Sequence, residues 1–78
     1  MTELGERITE ARYKKNMSVG QVAIKARMSI GTLRNVIYGK SSPRIDTLIT
    51  IADALDVSLD YLVGRKEQDN ARGQVEDN

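Results

Sequence analysis

The sequence predicts an all-α fold of five short helices, and three observations carry that reading. Apolar residues recur at helical spacing in five separate stretches, no stretch alternates with the two-residue period of a strand, and capping residues or glycines punctuate the intervals. The 78 residues are enough for one domain with one modest core, so a bare domain with a tail is expected and no second, ligand-sensing module.

The first helix is expected over residues 3–15: Thr2 can cap it, and Leu4, Ile8, Ala11 and the stem of Lys15 fall on one face. The second opens with Ser18-Val19-Gly20-Gln21, where the Ser18 hydroxyl can accept from the Gln21 amide while the Gln21 side chain accepts from the Ser18 N–H, a capping box. Its stripe is Val19, Val22, Ala23 and Ala26, and the small alanines suit close approach of another helix.

Ser29 can cap the third helix after a very short turn, and the helix runs to Tyr38 before Gly39 stops it. With Leu33 at the centre of the buried face, a step of about 100° per residue places Ile37, Val36 and Ile30 near it and turns Gly31, Arg34, Asn35 and Tyr38 outward. A loop fixed by Pro43 follows. The fourth helix, residues 45–55, presents Leu48, Ile51, Ala52 and Leu55 on one face, and Ser58 caps a fifth over residues 59–63. Gly64 closes the ordered domain, 1–64. Residues 65–78 hold one valine, Val75, and seven charges, so they bury too little to offset chain entropy and are expected to be disordered.

Composition removes most enzyme chemistries. There is no cysteine for a disulfide, a thiol nucleophile or a thiolate zinc site, and no histidine for an imidazole base or ligand. The carboxylates are scattered over helix faces and no glycine-rich phosphate loop is present, so no catalytic residue, metal site or cofactor is expected. The N-terminus carries Glu3, Glu6 and Glu10 and no apolar run, which reads as a cytoplasmic protein with no membrane partner.

The formal net charge of +1 conceals a sorting of charge along the chain. Residues 11–44 hold eight cations (Arg12, Lys14, Lys15, Lys25, Arg27, Arg34, Lys40 and Arg44) and no acid, whereas residues 45–64 hold Asp46, Asp53, Asp56 and Asp60 and no cation. Such blocks are often only solvated helix faces, but they equally fit a basic half turned toward a polyanion. Two short helices joined by a tight turn, the second exposing polar residues from an acid-free stretch, form a unit that could lay one helix into a major groove.

With these pieces in place, residues 4–64 resemble the phage-repressor-like helix-turn-helix family, the Cro/CI or Xre type. The resemblance rests on Arg7-Ile8 with Arg12, Ser18 with Val22-Ala23, the stretch Ser29 to Tyr38, Gly39-Lys40 with Pro43, and Ala52-Asp53-Ala54-Leu55-Asp56-Val57-Ser58 with Leu62, all in the family's order. It implies a lambda-repressor-like, five-helix DNA-binding domain whose helix-turn-helix unit spans about residues 19–38. Four positions depart from the family's pattern. Val19 stands where glutamine is usual, Ile37 where a glutamate pairs with the helix 1 arginine, Tyr38 for the asparagine before Gly39, and Arg44 for a capping serine. Without that glutamate, Arg12 is released to reach a phosphate.

The resemblance implies that Ile30, Gly31, Arg34 and Asn35 read bases. Asn35 could pair bidentately with adenine and Arg34 with guanine or a phosphate, while Ile30 could pack on a thymine methyl and Gly31 lets the backbone come close. Ile30 stands equally as a core residue; for Arg34 and Asn35 the alternative is a solvated face, and the poor helix propensity of asparagine weighs toward a reading role. The phosphate candidates are Arg12, Lys40, Arg44 and the Ser18 end of helix 2, with Tyr38 as a further donor that could instead cover the helix end. The resemblance also implies a homodimer on a palindromic operator of double-stranded DNA, with Val57, Leu59, Tyr61 and Val63 as interface candidates unless the core absorbs them.

The function this supports is a sequence-specific transcriptional regulator, a repressor of phage or mobile-element type, with an antagonist protein as one means of removing it. A DNA-binding antitoxin or restriction-modification controller shares the same chemistry. A protein-interaction module without DNA is a third reading, and the acid-free span argues against it, because a protein-binding surface needs no such bias.

Overall fold

Each helix is stopped by the same local device. In the computed structural model, which describes residues 1–65, the helices are α1 (Glu3–Lys14), α2 (Val19–Lys25), α3 (Ile30–Ile37), α4 (Ile45–Leu55) and α5 (Leu59–Val63), with no strand among the described residues. Just past their ends, Asn16, Arg27, Gly39, Asp56 and Gly64 take φ of 55°, 60°, 74°, 58° and 89°. In each case the next amide returns to a carbonyl five residues back: Met17 to Arg12, Met28 to Ala23, Lys40 to Asn35, Val57 to Ala52 and Arg65 to Asp60, at 3.0, 3.0, 2.8, 3.0 and 2.7 Å. This left-handed cap satisfies carbonyls that the helix end would orphan and reverses the chain at once. Glycine suits the conformation best, and Asn16 and Asp56 tolerate it; Arg27 is the unfavourable case.

The starts are equally regular. Thr2, Ser18, Ser29 and Ser58 each accept the amide three residues on, Gly5, Gln21, Thr32 and Tyr61, at 3.0, 3.1, 3.1 and 3.0 Å. Such a cap contributes about 1 kcal/mol. At Ser18 the reciprocal bond to Gln21 Oε1 is 2.8 Å, so the capping box read from the sequence is present. Arg44 begins α4 with no side-chain cap.

One core joins all five helices. Ile8, Val22, Leu33, Ile51, Leu55 and Leu62 are fully buried, and Ala11, Ala23, Ala26, Val36, Ile37, Ala52 and Ala54 fill the spaces between them. The expected faces of α1, α2, α3 and α4 therefore supply the core, with Leu4, Val19 and Leu48 only partly covered. Two expectations are corrected. Helices α1 and α3 each end one residue earlier, at Lys14 and Ile37, leaving Lys15 and Tyr38 as caps. Lys15 does not lay its stem on the core; it is exposed and reaches Asp56 at 3.2 Å, linking the end of α1 to the end of α4.

The start of α1 lies directly on the end of α3. The Thr2 hydroxyl donates to the Ile37 carbonyl at 3.4 Å, and a Cβ at Gly5 would overlap that same oxygen. Only glycine permits this approach. Helix α5 is held to α1 by a polar clamp, in which Arg7 pairs with Glu3 at 2.9 Å and lies 5.8 Å from the Tyr61 ring centre while the Tyr61 hydroxyl donates to Glu10 at 3.0 Å. Residues 66–78, and with them most of the expected tail, lie outside the described residues.

Desolvation first, then the hydrogen bond to Glu10 and its charge, raise the Tyr61 phenol above its ordinary value of 10.0. Because the folded value exceeds the unfolded one, the stability tied to the neutral phenol is intact below about pH 10 and is lost as pH rises through the raised folded value. Thermal melting of the parent and Tyr61→Phe across pH 8–11 checks this. The parent should lose stability relative to Tyr61→Phe above about pH 10, and parallel curves throughout would contradict it.

Candidate nucleic-acid interface

The helix-turn-helix consists of α2, a four-residue turn and α3. Met28 is partly covered by the core, and the amides of Arg27 and Met28 close the turn on Ile24 and Ala23 at 3.1 and 3.0 Å. The turn brings α3 against α2 across Val22, Ala23, Ala26, Leu33 and Val36, all buried. With Leu33, Val36 and Ile37 committed inward, the other face of α3 is left to solvent.

That face holds all four base-reading candidates. Ile30, Gly31, Arg34 and Asn35 are exposed, and at 45 % exposure Ile30 is an outward side chain more than a core one. Tyr38 follows at the C-terminal end, 58 % exposed. Thr32, which the sequence reading passed over, is also exposed on α3, on the flank opposite Arg34. Its distinguishing signal is its place three residues after the Ser29 cap.

The phosphate candidates fall at the ends of four different helices. Lys40 is fixed just beyond its end, its amide bonded to the Asn35 carbonyl, and Arg44 stands at the start of α4 with its side chain exposed. Ser18 sits at the start of α2, its hydroxyl and its N–H both taken by the capping box. Arg12 is more committed than its sequence position suggests. Nη1 donates to the Met17 carbonyl at 3.0 Å, the guanidinium lies 4.7 Å from the Tyr13 ring centre, and Nε is buried without a partner. With Ile37 buried on α3, this arginine holds the α1–α2 connection instead of a late α3 carboxylate.

The dimer candidates differ in exposure. Val57 and Tyr61 pack half-buried on the core, Leu59 is half-buried, and Val63 is 43 % exposed. Sequence reasoning did not foresee Ile24 on α2 or Ile45 and Ile49 on α4, which are exposed by 79 %, 55 % and 42 %. All three sit at helical spacings that a face assignment alone leaves outside the stripe. Among the described residues, no group of histidine, cysteine or carboxylate side chains could hold a metal ion, and no helix is long and apolar enough to cross a membrane.

This arrangement coincides with a known sequence pattern: a helix-turn-helix family model matches residues 8–62, most of the chain. The chain belongs to that helix-turn-helix family. The phage-repressor-like resemblance is thereby shown, and with it the lambda-repressor-like reading of the five helices. Among similar proteins, the HTH-type transcriptional regulator ImmR of Bacillus subtilis is 34% identical over 64 residues, which are 82% of this chain and 50% of that protein. The cryptic phage CTXphi transcriptional repressor RstR of Vibrio cholerae is 32% identical over 63 residues, 81% of this chain and 56% of its own. AnsR of Bacillus subtilis, also named an HTH-type transcriptional regulator, is 32% identical over 70 residues, 90% and 60% of the two chains. The chain thus spans half to three-fifths of the length of these curated relatives.

A left-handed arginine in the helix-turn-helix is a local cost of about 1–2 kcal/mol. Arg27→Gly should therefore raise the melting temperature, by less than that cost because glycine gains entropy in the unfolded chain. A lower melting temperature would show that the Arg27 side chain contributes more than its backbone strain removes.

Proposed function

We propose that this protein is a non-enzymatic transcriptional regulator that binds double-stranded DNA in a sequence-specific way, a repressor of phage or mobile-element type acting as a homodimer on a palindromic operator. The observation that carries the reading is the outward face of α3, polar and acid-free, framed by Lys40 and Arg44 and set within a basic stretch that holds no carboxylate from residue 11 to 44. Placed in a major groove, Asn35 offers one donor and one acceptor to an adenine edge, Arg34 a fork to guanine or a phosphate, Ile30 an apolar surface to a thymine methyl, and Gly31 room for the backbone. Lys40, Arg44, Tyr38, the Ser18 end of α2 and the remaining edge of Arg12 lie against phosphates and set the register.

A single domain of this size reads few base pairs, so a second copy on a twofold site supplies the rest of the specificity. Val63, exposed at the end of α5, leads the contact, with Leu59 beside it and Val57 and Tyr61 supporting from the core side. The names of the relatives, two transcriptional regulators and one phage repressor, support this reading.

Affinity for a palindromic duplex selected by the protein from a randomised pool should fall steeply with salt, because each phosphate contact releases condensed counterions. Fluorescence anisotropy at several salt concentrations, with random duplex beside it, measures both the slope and the specificity. Equal affinity for both duplexes, or no salt dependence, would overturn the regulator reading.

Asn35 gives the sharpest separation of stability from recognition. Alanine is the better helix former, so Asn35→Ala should melt no lower than the parent while its binding to the selected duplex weakens by about 1–3 kcal/mol. A variant that melts normally and keeps its full preference would move recognition to Arg34, to Ile30 or to the shape of the DNA.

A further inference from the structure

Thr32 carries a hydroxyl whose hydrogen bonding is only half complete within the protein. The Ser29 hydroxyl accepts the Thr32 amide at 3.1 Å and donates its own proton to Thr32 Oγ1 at 2.9 Å. Of the two hydroxyl protons in this pair, one is used between them and the other has no acceptor among the described residues. A threonine inside a helix commonly returns that proton to the carbonyl of the preceding turn, which removes it from the surface. No such bond forms here, so the Ser29–Thr32 pair at the cap of α3 keeps one hydroxyl proton available at the surface.

Its position gives the donor a direction. Thr32 follows Gly31 and precedes Asn35 by three residues, so it borders the outward row of α3 on the side away from Arg34. On that side it lines a shallow groove of about 280 Å³ with Arg27, Met28 and, from the first turns of α4, Asp46, Thr47 and Thr50. Arg44 stands at the end of α4 that lines this groove, so Thr32 borders both the row proposed to face bases and the helix start that carries a cation proposed to face the backbone. The Asp46 carboxylate sits across the groove, so this flank is unsuited to carry an anion inside it and the donor is of use at its rim.

We infer that Thr32 is a further DNA-contacting residue, donating its hydroxyl to an acceptor atom of the operator. The inference rests on the proposed DNA-binding function. A phosphate oxygen and a base-edge acceptor present the same chemistry to this donor.

Three variants of the full chain test it on the selected duplex and on random duplex of equal length. Thr32→Ser keeps the hydroxyl, Thr32→Val keeps the branched shape without it, and Thr32→Ala removes both with a gain in helix propensity. Thr32→Ser should bind as the parent does, while Thr32→Val and Thr32→Ala bind about 3- to 10-fold more weakly, the loss of one hydrogen bond. A loss confined to the selected duplex places the acceptor on a base, and an equal loss on both places it on a phosphate. Thermal melting accompanies each titration, and if Thr32→Val melts low, Thr32→Ala carries the comparison. Parent-like affinity for both hydroxyl-free variants overturns the inference. So does a loss in Thr32→Ser with none in Thr32→Val, which would assign the contact to the methyl group. If the parent itself binds no duplex, it is the DNA-binding reading that fails, a result distinct from either of these.

Discussion

An eight-residue helix cannot sustain itself in water, and the surface proposed to meet DNA is carried by one. Helix nucleation costs more than two turns of hydrogen bonds return, so α3 exists because its inner face is buried. Leu33 is fully covered, Val36 and Ile37 nearly so, and these three side chains fix the rotation of the helix about its axis. Once that rotation is set, Asn35 and Gly31 have only one direction left to face. The far end is fixed by α1, where Gly5 lets the backbone come against the Ile37 carbonyl and Thr2 bonds the same oxygen. Packing, not local propensity, thus determines what the helix presents.

The rest of the fold serves short helices in the same way. Four starts are capped by a threonine or serine hydroxyl, and all five ends use a left-handed residue to reverse the chain within about two residues. Sharp reversals keep the helices close around one small core, whose largest members come from every helix. A domain of this size buries a limited fraction of its surface, so caps of about 1 kcal/mol each are a substantial share of its margin. The helix-turn-helix turn has the least favourable residue of the five, Arg27, and that strain is held by the packing of Met28 and Ala23 on either side.

Charge sorting along the chain becomes a sorting in space only in part. Lys40 lies just past the end of α3 and Arg44 at the start of α4, both exposed, whereas Lys15 is drawn to Asp56 across the boundary between the basic and acidic stretches. Arg12 shows how one substitution redistributes a role. With an isoleucine late in α3 there is no carboxylate to meet it, and the guanidinium instead braces the Met17 carbonyl ahead of α2 while stacking on Tyr13.

The sequence alone determined the number and order of the helices, the caps at Thr2, Ser18, Ser29 and Ser58, and the inward faces built on Ile8, Val22, Leu33 and Ile51. These are local properties: a hydroxyl three residues before an amide, or an apolar period near 3.6, is legible wherever it occurs. The outward row of α3 was legible for the same reason, as the complement of its buried face. Only the tertiary structure decided what depends on distant partners. It set Lys15 against Asp56, gave Arg12 to a carbonyl, left Ile24, Ile45 and Ile49 uncovered, and divided Val57 and Tyr61 from Val63. It also made Gly5 indispensable, because the atom that excludes a side chain there, the Ile37 carbonyl oxygen, belongs to a helix 32 residues further along the chain. A one-dimensional period records which face of a helix is apolar; it holds no information about which neighbour the rest of the fold brings to that face.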